Sequence, residues 1–340
     1  MGVQHDHGAT GTPAEYRQRS DQGAVELTFC VVNTSKRELL RTCLDAIARE
    51  RDAVPFATEV LVLDNGSRDG SAEMARAHAA TDAVIALDRR AGKAYCDSEL
   101  LRKASGRFAL LLNEDSELQS GSTLALRDAL GGDPSAGCAG ARLLRPDGTP
   151  QACAWRFPTP LTALATALGL HRQLVVQSTG QTMRRVDWCQ SSALLVRREA
   201  AAAVDYLDED FFVYSDEVDF AKRLCNAHWR SLYVPSAVAF HHEQLATGDG
   251  SHARIVELSR NRDLYMRKHH SAAAARAVRW LTAWSYAVRA AIALVLPGHS
   301  PRRYWRHVTA TLHPERGTGL RELADDYNAR PPAADASEVL

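Results

Sequence analysis

The chain of 340 residues has no excess of either charge, with 41 Lys and Arg balancing 41 Asp and Glu. That excludes a nucleic-acid binder relying on a broad basic face, because such binding draws its strength from neutralised phosphates. Seven cysteines, at positions 30, 43, 96, 138, 153, 189 and 225, are scattered and form no CxxC, so a reducing compartment and no zinc site are expected. No GxGxxG follows the first apolar run and no GxxxxGK[ST] occurs, which removes the usual dinucleotide fold and the P-loop. Met1 to Gln22 is polar and poor in long apolar side chains, so no signal peptide is expected. Residues 1–24 read as a disordered leader and 329–340 as a loose tail. No internal repeat or low-complexity tract stands out.

What the chain does carry is acid at the ends of apolar runs. In KASGRFALLLNEDSEL, Lys103 to Leu118, the run Phe108 to Leu112 is followed at once by Asn113, Glu114, Asp115, Ser116 and Glu117. A run without polar alternation suits a strand covered on both faces of a parallel α/β sheet, whose ligands gather beyond the strands' carboxyl ends. Carboxylates crowded on one turn repel each other, and a divalent cation holding a phosphate relieves that repulsion. EVLVLDNGSRDGS, Glu59 to Ser71, repeats the design: Val60 to Leu63 ends in Asp64, and two turn-forming pairs precede a helix expected over Ser71 to Ala80. Leu27 to Val32 reads as the first strand. Asn33-Thr34-Ser35 is placed to cap a helix from Lys36 to Glu50, whose Leu39, Leu40, Cys43, Leu44 and Ile47 form an apolar stripe. The order β-α-β-α-β favours a parallel sheet with right-handed crossovers and a cleft at its switch point.

A second acidic cluster follows the aromatic run Phe211 to Tyr214. Ser215 is placed as a helix N-cap before Asp216-Glu217-Val218-Asp219-Phe220-Ala221-Lys222-Arg223. Asp216 and Asp219 share a face, Asp219 and Arg223 are spaced to pair, and Glu217 points elsewhere. Two separated acidic sites suit a reaction that needs one set for a cation and another for a general base. The run Val234 to Phe240 leads into His241-His242, and imidazole is an ordinary ligand for Mn²⁺, less so for Mg²⁺. Arg89-Arg90 and Arg184-Arg185 read as solvated.

Beyond Ala272 the character changes. Trp280, Trp284, Val288, Ala291 and Val295 fall on one helical face, with Arg276 and Arg279 flanking its start and Arg289 opposite. The helix is too interrupted to span a bilayer. The stripe reads either as docking on the preceding domain or, with Arg302 to Arg306 nearby, as lying on an anionic surface. Arg316 to Asn328 reads as a short capped helix closing the domain.

Taken in order, VVNTSKRELLRTCLDAI, VLVLDNGSRDGS, RRAGKAYCDSELLRKASGRFALLLNEDSEL, ARLLRPDGTPQ, ALLVRREA, FFVYSDEVDFAKR and SRNRDLYMRKHH resemble the inverting family 2 glycosyltransferases with the GT-A fold, in particular their rhamnosyltransferase-like branch. The resemblance covers Leu27 to His270. It implies an α/β GT-A domain over 25–255, leaving a helical C-terminal appendage over 256–328. It implies an enzyme that needs Mg²⁺ or Mn²⁺ and moves a sugar, rhamnosyl among the choices, from a UDP- or dTDP-sugar to a hydroxyl acceptor in glycan, lipid-linked or natural-product synthesis. By the same resemblance Asp64, with Asn33 and Thr34, holds the nucleobase. Asp115, with Glu117 beside it, holds metal and diphosphate; Lys93 lies near the diphosphate. Trp188 belongs to the floor under sugar and acceptor, His241 or His242 completes the metal site, and Glu217 or Asp216 takes the acceptor's proton. Three segments depart from the family pattern: Asn33-Thr34-Ser35 replaces Thr-Tyr-Asn, Arg90-Ala91-Gly92-Lys93 replaces Asn-x-Gly-Phe, and Asp216-Glu217 inverts the usual Glu-Asp. A cytoplasmic location, at the inner face of the membrane, is expected. The alternatives are a sugar nucleotidyltransferase, which wants a glycine-rich basic loop after its first strand, and an idle sugar-nucleotide-binding module at a membrane surface.

Overall fold

The computed structural model describes residues 24–242, 249–296 and 298–330; the expected leader, Ala24 apart, and residues 331–340 of the expected tail lie outside them. In chain order the strands are β1 (Leu27–Asn33), β2 (Thr58–Asp64), β3 (Ala83–Ala86), β4 (Phe108–Asn113), β5 (Ser116–Leu118), β6 (Ala136–Leu144), β7 (Pro150–Gln151), β8 (Ala154–Trp155), β9 (Arg184–Val186), β10 (Trp188–Cys189), β11 (Ala193–Arg197) and β12 (Arg230–His241). The helices are α1 (Arg37–Ala53), α2 (Ser71–Ala77), α3 (Lys93–Lys103), α4 (Ser122–Gly132), α5 (Pro160–Ala167), α6 (His171–Leu174), α7 (Arg198–Ala203), α8 (Asp216–Asn226), α9 (Asp249–His269), α10 (Ala272–Ile292), α11 (Pro301–Leu312) and α12 (Leu320–Asn328).

The main sheet runs β3-β2-β1-β4-β11-β6-β12-β5. Strands β3, β2, β1 and β4 are mutually parallel, and β12 runs parallel to β6. Strand β11 lies antiparallel between β4 and β6, so the sheet is mostly rather than wholly parallel. All seven residues of β1 are buried, as expected of a strand covered on both faces. Helix α1 covers one face through Leu40, Cys43, Leu44 and Ile47.

Two capping expectations are corrected. The residue preceding α1 is Lys36, without a side-chain cap bond, because the polar side chains before it face the sheet edge instead. Ser215 precedes α8 but makes no cap bond either; its backbone is left-handed, φ 61°, and Tyr214 before it is too, φ 67°. Helix α2 is shorter than expected and starts after a left-handed Gly70.

The appendage does not hang from a linker. Helix α9 carries the chain across position 255 unbroken, and its Ile255 and Val256 pack with Ala310 of α11. A second core joins Tyr265 and Met266 of α9, Ala275 and Val278 of α10, and Phe211 and Val218 around the start of α8. Phe157, Ala163 and Trp188 pack against it, so the segment around α5 shares this core with the C-terminal helices. Thr159 caps α5, with Pro160 at its first position.

Candidate active site

Strands β1 and β2 end level, Asn33 opposite Asp64, so their terminal side chains meet. The Asn33 amide donates to Asp64 Oδ1 at 2.7 Å, and the backbone N–H of Ser67 donates to Oδ2 at 3.1 Å. Asp64 is only 2% exposed. Thr34 Oγ1 accepts from the Asn65 amide at 3.3 Å, and Asn65 also exchanges hydrogen bonds with the backbone of Ala91 in both directions. Gly66 takes a left-handed turn, φ 63°, and a Cβ there would lie 2.7 Å from the Arg89 carbonyl carbon; glycine is required on both counts.

Sequence reasoning missed the wall of this corner. Tyr327 at the end of α12 donates its hydroxyl hydrogen to Gly66 O at 3.0 Å, and its ring lies between the guanidinium groups of Arg90, 3.5 Å from the centroid, and Arg68, 4.3 Å. Asn328 bonds the backbone of Arg90 through both ends of its amide, at 2.7 and 3.0 Å. Arg90, expected to be solvated, instead stacks on Tyr327 and reaches Ser35 Oγ at 3.0 Å. Ser67, Leu87, Asp88 and Asn328 contribute to the lining of a hollow of about 560 Å³ beside Asp64, within the size range of small-molecule sites.

Asp115 is positioned by the turn between β4 and β5. Because β5 pairs with the end of β12, Ser116 opposite His241, the His242 N–H donates to Asp115 O at 3.0 Å. His241 Nε2 lies 3.3 Å from Asp115 Oδ1 and 3.1 Å from Ser192 Oγ. Its Nδ1 lies 3.1 Å from Gln151 Oε1, which holds the ring with Nε2 turned toward Asp115. Asp115 Oδ1 is buried without a hydrogen-bond partner. An orphaned carboxylate oxygen beside an oriented imidazole nitrogen fits a hard divalent cation that takes its other ligands from phosphate and water. Glu117 and His242 form a different pair, 3.6 Å apart, with Arg49 3.5 Å from Glu117. No group of three His, Cys, Asp or Glu side chains placed to hold a metal occurs among the described residues.

Lys93 opens α3 and lies between the two acidic sites. Its ammonium donates to Asp97 at 2.6 Å. Burial opposes its charge, but Asp97, Asp216 and Glu217 outweigh that and hold its pKa above the usual lysine range. Its charge also reaches Glu114, whose pKa burial and the adjacent Asp115 push up to about 7, with Lys93 pulling the other way. Gly92 brings the segments together: a Cβ there would sit 2.8 Å from Phe212 O, and the Lys93 N–H donates to that same oxygen at 2.6 Å.

Asp216 and Glu217 differ sharply. Asp216 is fully buried and neither of its carboxyl oxygens has a hydrogen-bond partner. Burial first, then the neighbouring Glu217 charge, raise its pKa well above the carboxylate range; Glu217 acts on it by charge, outside hydrogen-bond geometry. Glu217 is half-buried and open to a ligand. Asp219 is bound to Arg223 Nε and to His269 Nε2, both at 2.7 Å, and braces α8 against α9. Trp188 stacks on Trp155, centroids 4.5 Å apart, and donates to Arg156 O at 3.2 Å.

A mostly parallel sheet whose carboxyl edge carries a buried aspartate, an Asp-His pair and a separate Asp-Glu helix start has the layout of the GT-A fold. Residues 28–188 match the family described as Glycosyl transferase family 2, and the domain they span is a glycosyltransferase of that family, rhamnosyltransferase-like. It is 28% identical over 263 residues to N-acetylglucosaminyl-diphospho-decaprenol L-rhamnosyltransferase of Mycobacterium tuberculosis, covering 70% of this chain and 85% of that protein. Rhamnosyltransferase WbbL of Escherichia coli is 32% identical over 75 residues, 22% of this chain and 28% of its own. Among solved structures, the mannosyltransferase PcManGT of Pyrobaculum calidifontis, in complex with GDP-Man and Mn²⁺, shares the fold with TM-score 0.56 and 17% identity over 92% of both chains.

Proposed function

We propose that this glycosyltransferase moves a sugar, with inversion, from a UDP- or dTDP-sugar to a hydroxyl of a lipid-linked acceptor, rhamnose being the sugar its relatives favour. One observation carries the reading: the Lys93 N–H is bonded to Phe212 O at 2.6 Å, at the approach to Asp216 and Glu217, and its side chain lies within the field of those two acids and of Glu114, next to Asp115. A donor diphosphate and an attacking hydroxyl need those two groups of charges within one sugar's length.

Asp64 accepts from the nucleobase imide and the Tyr327 wall encloses the base. Asp115 and His241 would hold Mg²⁺ or Mn²⁺, which neutralises charge on the diphosphate when bound. Lys93 faces the same phosphates. Glu217 takes the proton from the acceptor hydroxyl as its oxygen bonds to the anomeric carbon, and the bond from that carbon to the phosphate oxygen breaks with its electron pair leaving on the nucleoside diphosphate. Asp216, fully buried and without a hydrogen-bond partner, is walled off from the acceptor and leaves the proton to Glu217. The nucleotidyltransferase alternative loses ground, because Asn33 and Ser35 are tied to Asp64 and Ser67 rather than free to cradle a triphosphate.

The test supplies UDP-, dTDP- and GDP-sugars with Mn²⁺ or Mg²⁺ and a polyprenyl-diphosphate-linked sugar acceptor, and follows acceptor-dependent release of nucleoside diphosphate. Release with one pyrimidine donor, its loss in EDTA and an inverted anomeric centre in the product are expected. Nucleotide release that ignores the acceptor, or retention at the anomeric carbon, overturns the reading.

A further inference from the structure

In a chain of zero net charge, residues 264–314 contain eight Arg or Lys and residues 148–186 contain four, with no Asp or Glu in either segment. The segments meet in space. Helix α5 packs along α10, and burial, then the charge of Arg289 near the end of α10, lower the pKa of His171. The basic charge is therefore gathered on one part of the molecule, leaving the rest net acidic.

The same part exposes its large apolar side chains. Leu161, Leu164 and Leu168, at i, i+3 and i+7, line the outer side of α5, with Leu161 74% and Leu168 66% exposed. On α10, Trp280 and Trp284 are 65% and 62% exposed, and Arg276 lies one turn before them on that side. The turn that follows α10 adds Leu294 and Val295, and α11 begins with exposed Arg302 and Arg303 followed by Trp305 and Arg306. What α10 buries is small: Ala275, Ala283, Ser285 and Ala290, with Val278 the largest. Leucine and tryptophan together facing water over several helices are more than scattered surface apolar groups.

We propose that the outer sides of α5 and α10 and the start of α11 form a surface that lies flat on an anionic phospholipid bilayer. Leucines and tryptophans enter the boundary between headgroups and acyl chains, while the flanking arginines meet phosphate. No helix among the described residues is long and apolar enough to cross a membrane, so the contact is interfacial. Charge decides between lipid and a protein partner: Arg267, Lys268 and Arg279 are paired with Asp263, Asp208 and Asp210, but the exposed Arg276, Arg289, Arg302, Arg303 and Arg306 have no ion pair among the described residues, which matches a uniformly negative plane, whereas protein interfaces mix signs. The inner side of the same layer holds Val278 and Ala163 against Phe211 and Val218, next to Glu217, so the membrane plane is one helix layer from the acceptor's site. In that respect the inference rests on the lipid-linked acceptor proposed above; the binding surface itself does not.

Flotation of the purified protein with phosphatidylglycerol–phosphatidylcholine vesicles, without donor or acceptor, tests it. The wild type is expected to float with the anionic vesicles and not with pure phosphatidylcholine. Leu161→Gln/Leu168→Gln/Trp284→Gln and, separately, Arg302→Gln/Arg303→Gln/Arg306→Gln are each expected to lower partitioning about tenfold or more. Both sets lie on exposed positions, so melting temperature should hold and certify the fold. Turnover of a short, water-soluble acceptor analogue should also hold, while turnover of acceptor embedded in vesicles falls. Wild-type protein that fails to float, variants that float equally well, or a wild-type dimer in light scattering that the leucine-tryptophan variant abolishes would each overturn the proposal, the last by showing a second copy on this surface. Failure of the transferase reading would appear in the soluble assay alone.

Discussion

Strand β1 buries all seven of its residues, whereas helix α10 buries alanines, a serine and one valine and leaves Trp280 and Trp284 in solvent. Both are apolar segments of one chain. In the sheet, large aliphatic side chains fill space between helices, and polar residues gather near the strand ends, as at Asn33, Asp64 and Asn113. In the appendage, small residues allow close helix packing and the large ones face outward. Hydrophobicity in the first region builds a fold that aims carboxylates at a cleft; in the second it builds a surface. The two regions should therefore respond to substitution in opposite ways.

The largest expected effect is chemical and confined to the sheet's carboxyl edge. Glu217→Gln should keep donor affinity and melting temperature, yet lower the transfer rate by roughly 10²–10⁴, the usual toll of losing a general base. Asp216→Asn replaces a fully buried acid, out of the acceptor's reach, with an amide of the same shape, and should be far milder. If Asp216→Asn abolishes transfer while Glu217→Gln remains active, the base is Asp216 and the buried carboxyl opens to the acceptor in the working complex.

Packing gives the next contrast. Leu111→Ala in the middle of β4 leaves a cavity in a fully closed core and should lower stability by about 2–5 kcal/mol in denaturant titration. Trp284→Ala, the removal of a larger side chain, should change it by no more than about 0.5 kcal/mol, because the tryptophan is mostly exposed. A Trp284→Ala loss as large as that of Leu111→Ala would mean the outer side of α10 is packed in solution.

How far the sequence discloses this molecule follows the same division. Strands β1, β2 and β4 were legible because unbroken apolar runs end abruptly in Asn or Asp, and residue order alone then puts Asp64 and Asp115 at the sheet's edge. The direction of β11 was not, since Ala193 to Arg197 reads the same with either neighbour orientation. Nor was the clamp of Tyr327 and Asn328 on Arg90, whose partners lie 238 residues apart and carry no periodic signal. For α10, periodicity put Trp280 and Trp284 on one face but could not say what that face meets, and Val295 falls in the turn beyond the helix. The docking alternative is corrected: Trp280, Trp284 and Val295 point outward, and the alanine-rich face is the docked one. Gathering Asp115 with His241, and Glu117 with His242, needed the pairing of β5 with β12.

Smaller effects are expected where the regions touch. Asp64→Ala should weaken UDP or dTDP binding by about 1–3 kcal/mol, the range for losing a hydrogen bond to a charged group. Tyr327→Ala, which removes the ring between Arg68 and Arg90 without touching the carboxylate, should cost about 1 kcal/mol of the same affinity. Isothermal calorimetry with nucleotide alone measures both. Equal affinities in Tyr327→Ala and wild type would confine α12 to a structural role.

The last effect isolates the basic surface. His307 of α11 stacks on Tyr286 of α10 with centroids 4.3 Å apart, and burial, then the charges of Arg262, Arg303 and Arg289, lower its pKa from 6.5 to about 4. The unfolded chain therefore takes up this proton as pH falls below about 6.5, while the folded chain resists until about 4. Between those values the unfolded state binds more protons, so the stability His307 contributes is present above pH 6.5 and lost on acidification through the window. With the ring partly open to solvent, the loss should be about 1–2 kcal/mol rather than the full amount of an unscreened shift. His307→Gln should thus show a shallower fall in melting temperature between pH 7 and pH 4.5 than the wild type does. An NMR titration of His307 gives the direct measure: a midpoint near 4 in solution that moves upward on phosphatidylglycerol vesicles reports lipid phosphate cancelling the arginine field. A midpoint at the ordinary histidine value without lipid would mean that the arginines of α10 and α11 are already neutralised by other groups, and that this surface is less positive than its sequence.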